Sequence, residues 1–293
     1  MTPRIVRLPR YRSWMSGLPV LILGLYALAA VGVWLGLWSG HWSAMTGPMW
    51  APPSPDHWLG TNRLGQDIFA RSVAATATAF EIGLVVAVVT CLFGGLMGSI
   101  AGFFHRGWID EFILWLTGTL EAIPFYLLVG AIAFALHRHP SAMYVAMMAA
   151  FWTTTARVVR AEAIRLERSG FILAARAGGS APLRILRRHV LPNLAHVLLV
   201  QATLVFVAAI KIEVILSFLG LGVHDSISWG LMLAEAGQDI LAGQYMNFVV
   251  ASVFLFGLVM AGSLVADDLQ DRLDPKRRKS KPAGVERDPR ILP

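Results

Sequence analysis

Six apolar runs are spaced along the chain, near residues 18–38, 78–104, 112–136, 141–156, 194–220 and 246–266. A bilayer takes about 20 apolar residues per crossing helix. The pattern therefore predicts an all-α integral membrane protein with six transmembrane helices, the fourth of them short. Between the fourth and fifth runs the pattern changes. From Arg157 to Pro192, apolar and basic residues recur at helical spacing around a double glycine, Gly178-Gly179. The polar stretches divide the chain into a tail (1–17), a first span (18–38), a loop (39–72), a five-helix core (73–266) holding the internal loop 157–192, and a basic tail (267–293).

Composition excludes a soluble domain. Hydrophobic residues make up 56% of the 293 and charged residues 15%, against about a quarter charged in soluble domains. The net charge of +7 is a topology signal. All but four of the 25 Lys and Arg lie in the two tails, the loop after the second run, or the internal loop; the exceptions are Arg63, Arg71, Arg138 and Lys211. Such bias puts both termini and residues 157–192 in the cytoplasm and residues 39–72 outside. Because the excess charge sits beside membrane segments, no nucleic-acid partner is expected. The first run contains a signal-peptide-like Ala27-Leu28-Ala29 but continues to Trp38, which makes it an anchor. Cys91 is the sole cysteine, so no internal disulfide can form and a packing role is expected.

Gly94, Gly98 and Gly102 fall on one face of the second helix and invite close approach of a neighbour. Pro124, three residues after Glu121, predicts a kink in the third. Glu81, Glu121, Lys211 and Glu213 are ionisable groups within apolar runs, and such groups tend to face a water path or a partner. Glu121, Lys211, Glu213 and Ser217 are the candidate translocation-pathway residues, with Lys211 seeking a carboxylate such as Glu121. His137-Arg138-His139-Pro140 reads as a solvated loop rather than a metal site. Asp67 and Arg71 are spaced to pair at the start of the second helix. In the internal loop, Arg157 to Arg176 reads as a helix continuing the fourth span, Gly178-Gly179 as a sharp turn, and Ser180 as the cap of a second helix. In that helix Leu183, Leu186 and Val190 form an apolar face and Arg184, Arg187 and Arg188 a basic one.

Three motifs resemble one family in the family's own order. The first is Leu59-Gly60-Thr61 with Gly65, Asp67 and Arg71. The second runs from Leu173-Ala174-Ala175 through Gly178-Gly179 to Leu191-Pro192. The third is Glu213-Val214-Ile215-Leu216-Ser217-Phe218-Leu219-Gly220-Leu221-Gly222 followed by Trp229-Gly230. They resemble the permeases of ABC importers of the dipeptide, oligopeptide and nickel class, C-type subunit, over about residues 57–278. The resemblance implies a type I importer architecture in the cell inner membrane, in which the internal loop is the EAA loop that carries a coupling helix to an ATPase. Leu173, Ala174, Ala175, Gly178, Gly179, Leu183, Leu186, Arg187, Arg188 and Pro192 then form the ATPase-coupling loop. It implies as partners a second related permease, two ATP-binding cassette subunits and an extracytoplasmic substrate-binding protein. No G-x-x-x-x-G-K-[ST] loop occurs in the chain, so ATP is expected on the partner subunits, with no cofactor, metal or active site here. The expected cargo is a dipeptide or oligopeptide, with a nickel or metal chelate, or an antimicrobial peptide, as alternatives. An ion-coupled secondary transporter would account for the buried charges but leave the internal loop without a purpose. One departure stands out: Leu173 occupies the place of the family's loop glutamate, which the resemblance pairs with a basic group on the ATPase.

Overall fold

The computed structural model describes residues 17–38, 40–136, 139, 141–222 and 226–273. Among them the chain forms ten α-helices. These are α1 (Gly17–Trp34), α2 (Ile68–Phe103), α3 (Trp108–Glu121), α4 (Phe125–Ala135), α5 (Ala142–Glu167), α6 (Gly170–Ala177), α7 (Pro182–Ile185), α8 (Leu191–Phe218), α9 (Trp229–Leu241) and α10 (Met246–Leu273). Four helical stretches are long and apolar enough to cross a membrane: α1, α2, Pro182–Phe218 and α10. The pair α3 and α4 makes a fifth if taken together, although it is bent by 88°. The kink expected at Pro124 is thus a full break: α3 stops at Glu121, and Pro124 is the cap residue from which α4 starts.

The fourth apolar run, 141–156, accounts for the difference from six. It lies in α5, which carries Thr153, Thr154, Thr155 and Arg157 and turns small residues toward α2 instead of apolar ones toward lipid. The expected glycine face is the reason. A Cβ on Gly94 would lie 2.7 Å from the Trp152 carbonyl oxygen, on Gly98 2.3 Å from that of Ala156, and on Gly102 2.6 Å from that of Arg160. Glycine is required at these positions because the α5 backbone occupies the space a side chain would need. The other side of α2 meets α8 through Gly83 against Phe206 and Gly95 against Leu198. Ile82, Val86, Ala146, Met147, Ile210 and Leu258 are among the buried side chains that complete this core.

Sequence periodicity missed α9 because 13 residues cannot cross a membrane. Its signals were Ser228, which caps the helix by accepting from Leu231 N–H at 3.2 Å, and one buried face bearing Trp229, Met232, Ala236 and Asp239. The third motif is the device that seats this helix. A Cβ on Gly230 would meet the Val214 carbonyl oxygen at 2.4 Å, and one on Gly222 the Ser217 hydroxyl at 2.1 Å.

The first motif ties the 40–66 segment down beside α9. Gly65 has φ +72° and Gly60 φ +75°, and each backs onto a carbonyl oxygen that leaves no room for a Cβ. Asp67 caps α2 by accepting from Ala70 N–H at 2.8 Å and meets His57 Nδ1 at 2.9 Å. The expected Asp67–Arg71 side-chain pair is therefore corrected. Arg71 is buried and turns to Glu235 on α9 at 2.5 Å and to Gln66. Trp50 Nε1 donates to Asp239 at 3.0 Å, and Asp239 also accepts from Asn247 of α10 at 3.0 Å.

Candidate functional site

The arginine-rich end is built on a second, smaller core. Phe103 of α2, Val159 and Ala163 of α5, Ile172 of α6, and Ile185, Leu186, Val190 and Leu194 close around one another. Two local expectations are corrected here. The helix does not continue from Arg157 to Arg176: α5 stops at Glu167 and α6 restarts at Gly170, with Ser169 extended between them. The cap of α7 is Ala181, not Ser180, with Pro182 in the first turn. Of the two glycines only Gly179 adopts a positive φ, +76°, so Gly179 alone makes the turn.

Beyond the turn the helix runs without interruption from Pro182 into the membrane span, through one π-helical turn at Leu186–Val190. Pro192 explains it. Proline lacks an N–H and its ring excludes the normal i−4 carbonyl, and a wider turn relieves both. Asn193 Nδ2 donates to the His189 carbonyl at 2.6 Å there.

Three carboxylates hold this end together. Asp110 takes a two-pronged contact from Arg160, 2.6 Å and 2.7 Å, and accepts from Arg106 N–H at 3.0 Å. Glu167 meets Arg176 at 2.8 Å and His105 at 3.2 Å. Glu162 pairs with Arg165. These contacts use Arg160, Arg165 and Arg176, and leave Arg184, Arg187 and Arg188 exposed, without a carboxylate partner among the described residues. Beside them Leu173 and Leu183 stand exposed, Leu183 at 71%. Leu186 does not share that face. It is 3% exposed, turned inward with Ile185 and Val190, because the small core takes the face that the simple i, i+3 count gave to all three. Ala174, Gly178 and Pro192 are exposed, and Ala175 packs partly against the small core. The result is a tip with two exposed leucines and three exposed guanidinium groups that have no carboxylate partner among the described residues.

Within the membrane-spanning part, the four candidate pathway residues separate. Glu213 is fully buried, and its Oε1 accepts from Ser217 Oγ at 2.5 Å on the same helix. Lys211 is exposed and lies in a hollow with Phe125, Tyr126 and Ile215. Glu121 does not meet Lys211. It pairs with Arg157 of α5 at the α3–α4 break. Sequence reasoning missed Arg157 as a pathway candidate because it sits where the fourth apolar run ends, and was read as the start of the loop. Glu81 accepts from Tyr144 at 2.9 Å. No group of three metal-ligating side chains occurs among the described residues. His139 Nδ1 lies 2.8 Å from Ser141 Oγ, while His137, Arg138 and Pro140, the residues 223–225, and the tails fall outside the described residues.

Comparison with known proteins gives the family. Residues 94–279 match the family model described as binding-protein-dependent transport system inner membrane component. The chain is 32% identical over 274 residues to the dipeptide transport system permease protein of Bacillus subtilis, covering 93% of this chain and 85% of that protein. It is 35% identical over 230 residues to the oligopeptide transport system permease protein of Mycobacterium tuberculosis, covering 78% of each. The oligopeptide permease of Bacillus subtilis is also 35% identical, over 229 residues.

Proposed function

The chain belongs to the binding-protein-dependent transport inner-membrane family, as a C-type permease of peptide ABC importers, and from this we propose that it is one half of a peptide-conducting channel driven by partner ATPases. It is a transport subunit and not an enzyme. The observation that carries the reading is the exposed tip at 170–190 on a chain that matches a dipeptide permease over 93% of its length. In this reading six spans cross the membrane: α1, α2, the broken α3–α4 pair, α5, α8 and α10. The arginine-rich end and both termini face the cytoplasm, following the basic-residue bias. A second related permease faces the chain, two ATP-binding subunits dock below, and a substrate-binding protein delivers the cargo from outside.

Leu173 and Leu183 would enter an apolar recess on the ATPase, and Arg184, Arg187 and Arg188 would meet its acidic rim. The carboxylate that the family places at Leu173 is absent, so the matching ATPase position needs no basic group. An affinity tag on this chain is expected to bring down both ATP-binding subunits when the neighbouring transport genes are co-expressed. In the same cells, with Cys91 replaced by Ala, a cysteine at Asp56 should react with an impermeant thiol reagent. One at Arg168 should react only after permeabilisation. The opposite labelling pattern, or a chain purified free of ATPase, would contradict the reading.

A further inference from the structure

One face of the molecule gathers exposed charge beside the apolar helices α4 and α5. The 11 residues of α4 rise about 16 Å and pack through Leu128, Val129 and Ala133 with Met143, Ala146 and Met147 in the first half of α5. Arg157 is fifteen residues beyond the start of α5, about 22 Å along it, so in the proposed topology the α3–α4 break lies toward the cytoplasmic side of a hydrocarbon layer of about 30 Å. There Arg157 reaches Glu121, and the pair is open, with the two side chains 60% and 28% exposed. Charge facing lipid within the apolar layer is costly, so an exposed ion pair here suits a face covered by water, partner or cargo.

The contact is also incomplete. One guanidinium nitrogen meets one carboxylate oxygen, whereas Arg160 grips Asp110 with two. The other donors of Arg157 and the second oxygen of Glu121 remain free among the described residues. A cleft beside the pair is lined by Pro124, Phe125, Thr153 and Thr154. Phe125 also borders the hollow that holds Lys211. This one wall thus presents an anion and two cations between aromatic and threonine side chains.

Resting on the peptide-permease reading, we propose that Glu121 and Arg157 are cargo contacts that part to hold the two ends of a passing peptide. Glu121 takes the terminal ammonium and Arg157 the terminal carboxylate. A zwitterionic peptide supplies both counter-charges, so opening the pair leaves no charge unmatched in the apolar layer. Arg157 and Lys211 outnumber Glu121, which biases the wall toward the carboxylate end.

The test uses the complete transporter in proteoliposomes, with labelled trialanine, its C-terminal amide and its N-acetyl form as probes. Each variant is compared with wild type on the same probe, so the binding protein's own preferences cancel. Arg157→Gln is expected to lower uptake of trialanine and the N-acetyl form about tenfold, the scale of one charged hydrogen bond, and to spare the amide. Glu121→Gln should lower uptake of trialanine and the amide and spare the N-acetyl form. A paired swap, Glu121→Arg with Arg157→Glu, keeps the ion pair should either single variant fail to fold. If the swap restores all three probes equally, or if the single variants lose all three equally, the pair is a structural staple and the proposal falls. If the wild-type complex moves none of the probes, the peptide reading falls and this inference falls with it.

Discussion

Replacing Gly98 with leucine is expected to prevent the chain from assembling. The backbone of α5 passes so close to α2 that even a Cβ at Gly98 would lie 2.3 Å from the Ala156 oxygen and 2.9 Å from its Cα. Backbone atoms cannot move aside as a flexible side chain can, so the two helices must separate along their shared length. Overpacking a core typically costs 1–3 kcal/mol, and this contact, being with backbone, is expected at about 3 kcal/mol or above. In a membrane the contact matters more, because helices associate there through close packing rather than by escape from water. Size-exclusion profiles of detergent-solubilised protein should lose the monodisperse peak. Gly118→Ala is the control: that glycine is also helical and has nothing within 4 Å of the built Cβ. A monodisperse Gly98→Leu variant with an unchanged melting temperature would show that α2 and α5 are not packed as described.

Leu183→Asp is expected to leave the chain folded and to break its connection to ATP. The side chain is 71% exposed, so the substitution removes nothing from either core. In the docked complex the leucine would be buried, a contribution of about 1.5–3 kcal/mol. Its replacement also sets a carboxylate against the acidic rim proposed for the three free arginines. The expected outcome is an ATPase association weakened at least about tenfold, with transport lost in proportion. Leu173→Glu, which restores the family's usual residue, should give no gain with the natural partner, because no basic group there awaits it. Leu186→Asp should fail differently, by unfolding the tip, since Leu186 lies in the small core. Equal ATPase binding by wild type and Leu183→Asp would remove Leu183 from the docking surface.

How much was legible in the sequence depended on the kind of signal. The apolar runs located α1, α2, α8 and α10 because each is a near-continuous lipid-compatible stretch. The glycine spacing located the α2 face that α5 covers, since only a missing side chain permits that approach. Neither signal reaches α9, whose stability comes from contacts across the chain such as Arg71 with Glu235 and Trp50 with Asp239. Expected charge pairings misled twice. Asp67 and Arg71 are spaced to pair, yet Asp67 turned to His57 and Arg71 to Glu235, while Glu121 took Arg157 rather than Lys211. At the tip, helical periodicity placed Leu183 and Leu186 together. The second core, which claims Leu186, is assembled from four separate segments of the chain and has no local signature.

ATP-driven uptake tests the central claim most directly. Proteoliposomes would carry this chain with the second permease, the ATP-binding subunits and the binding protein that the account proposes as its partners. A labelled peptide and the binding protein are supplied on the outside and MgATP within. The account predicts peptide accumulation that requires both ATP and the binding protein, and that is lost when Leu183→Asp replaces the wild-type chain. Accumulation that proceeds without ATP, driven instead by an ion gradient, would contradict it.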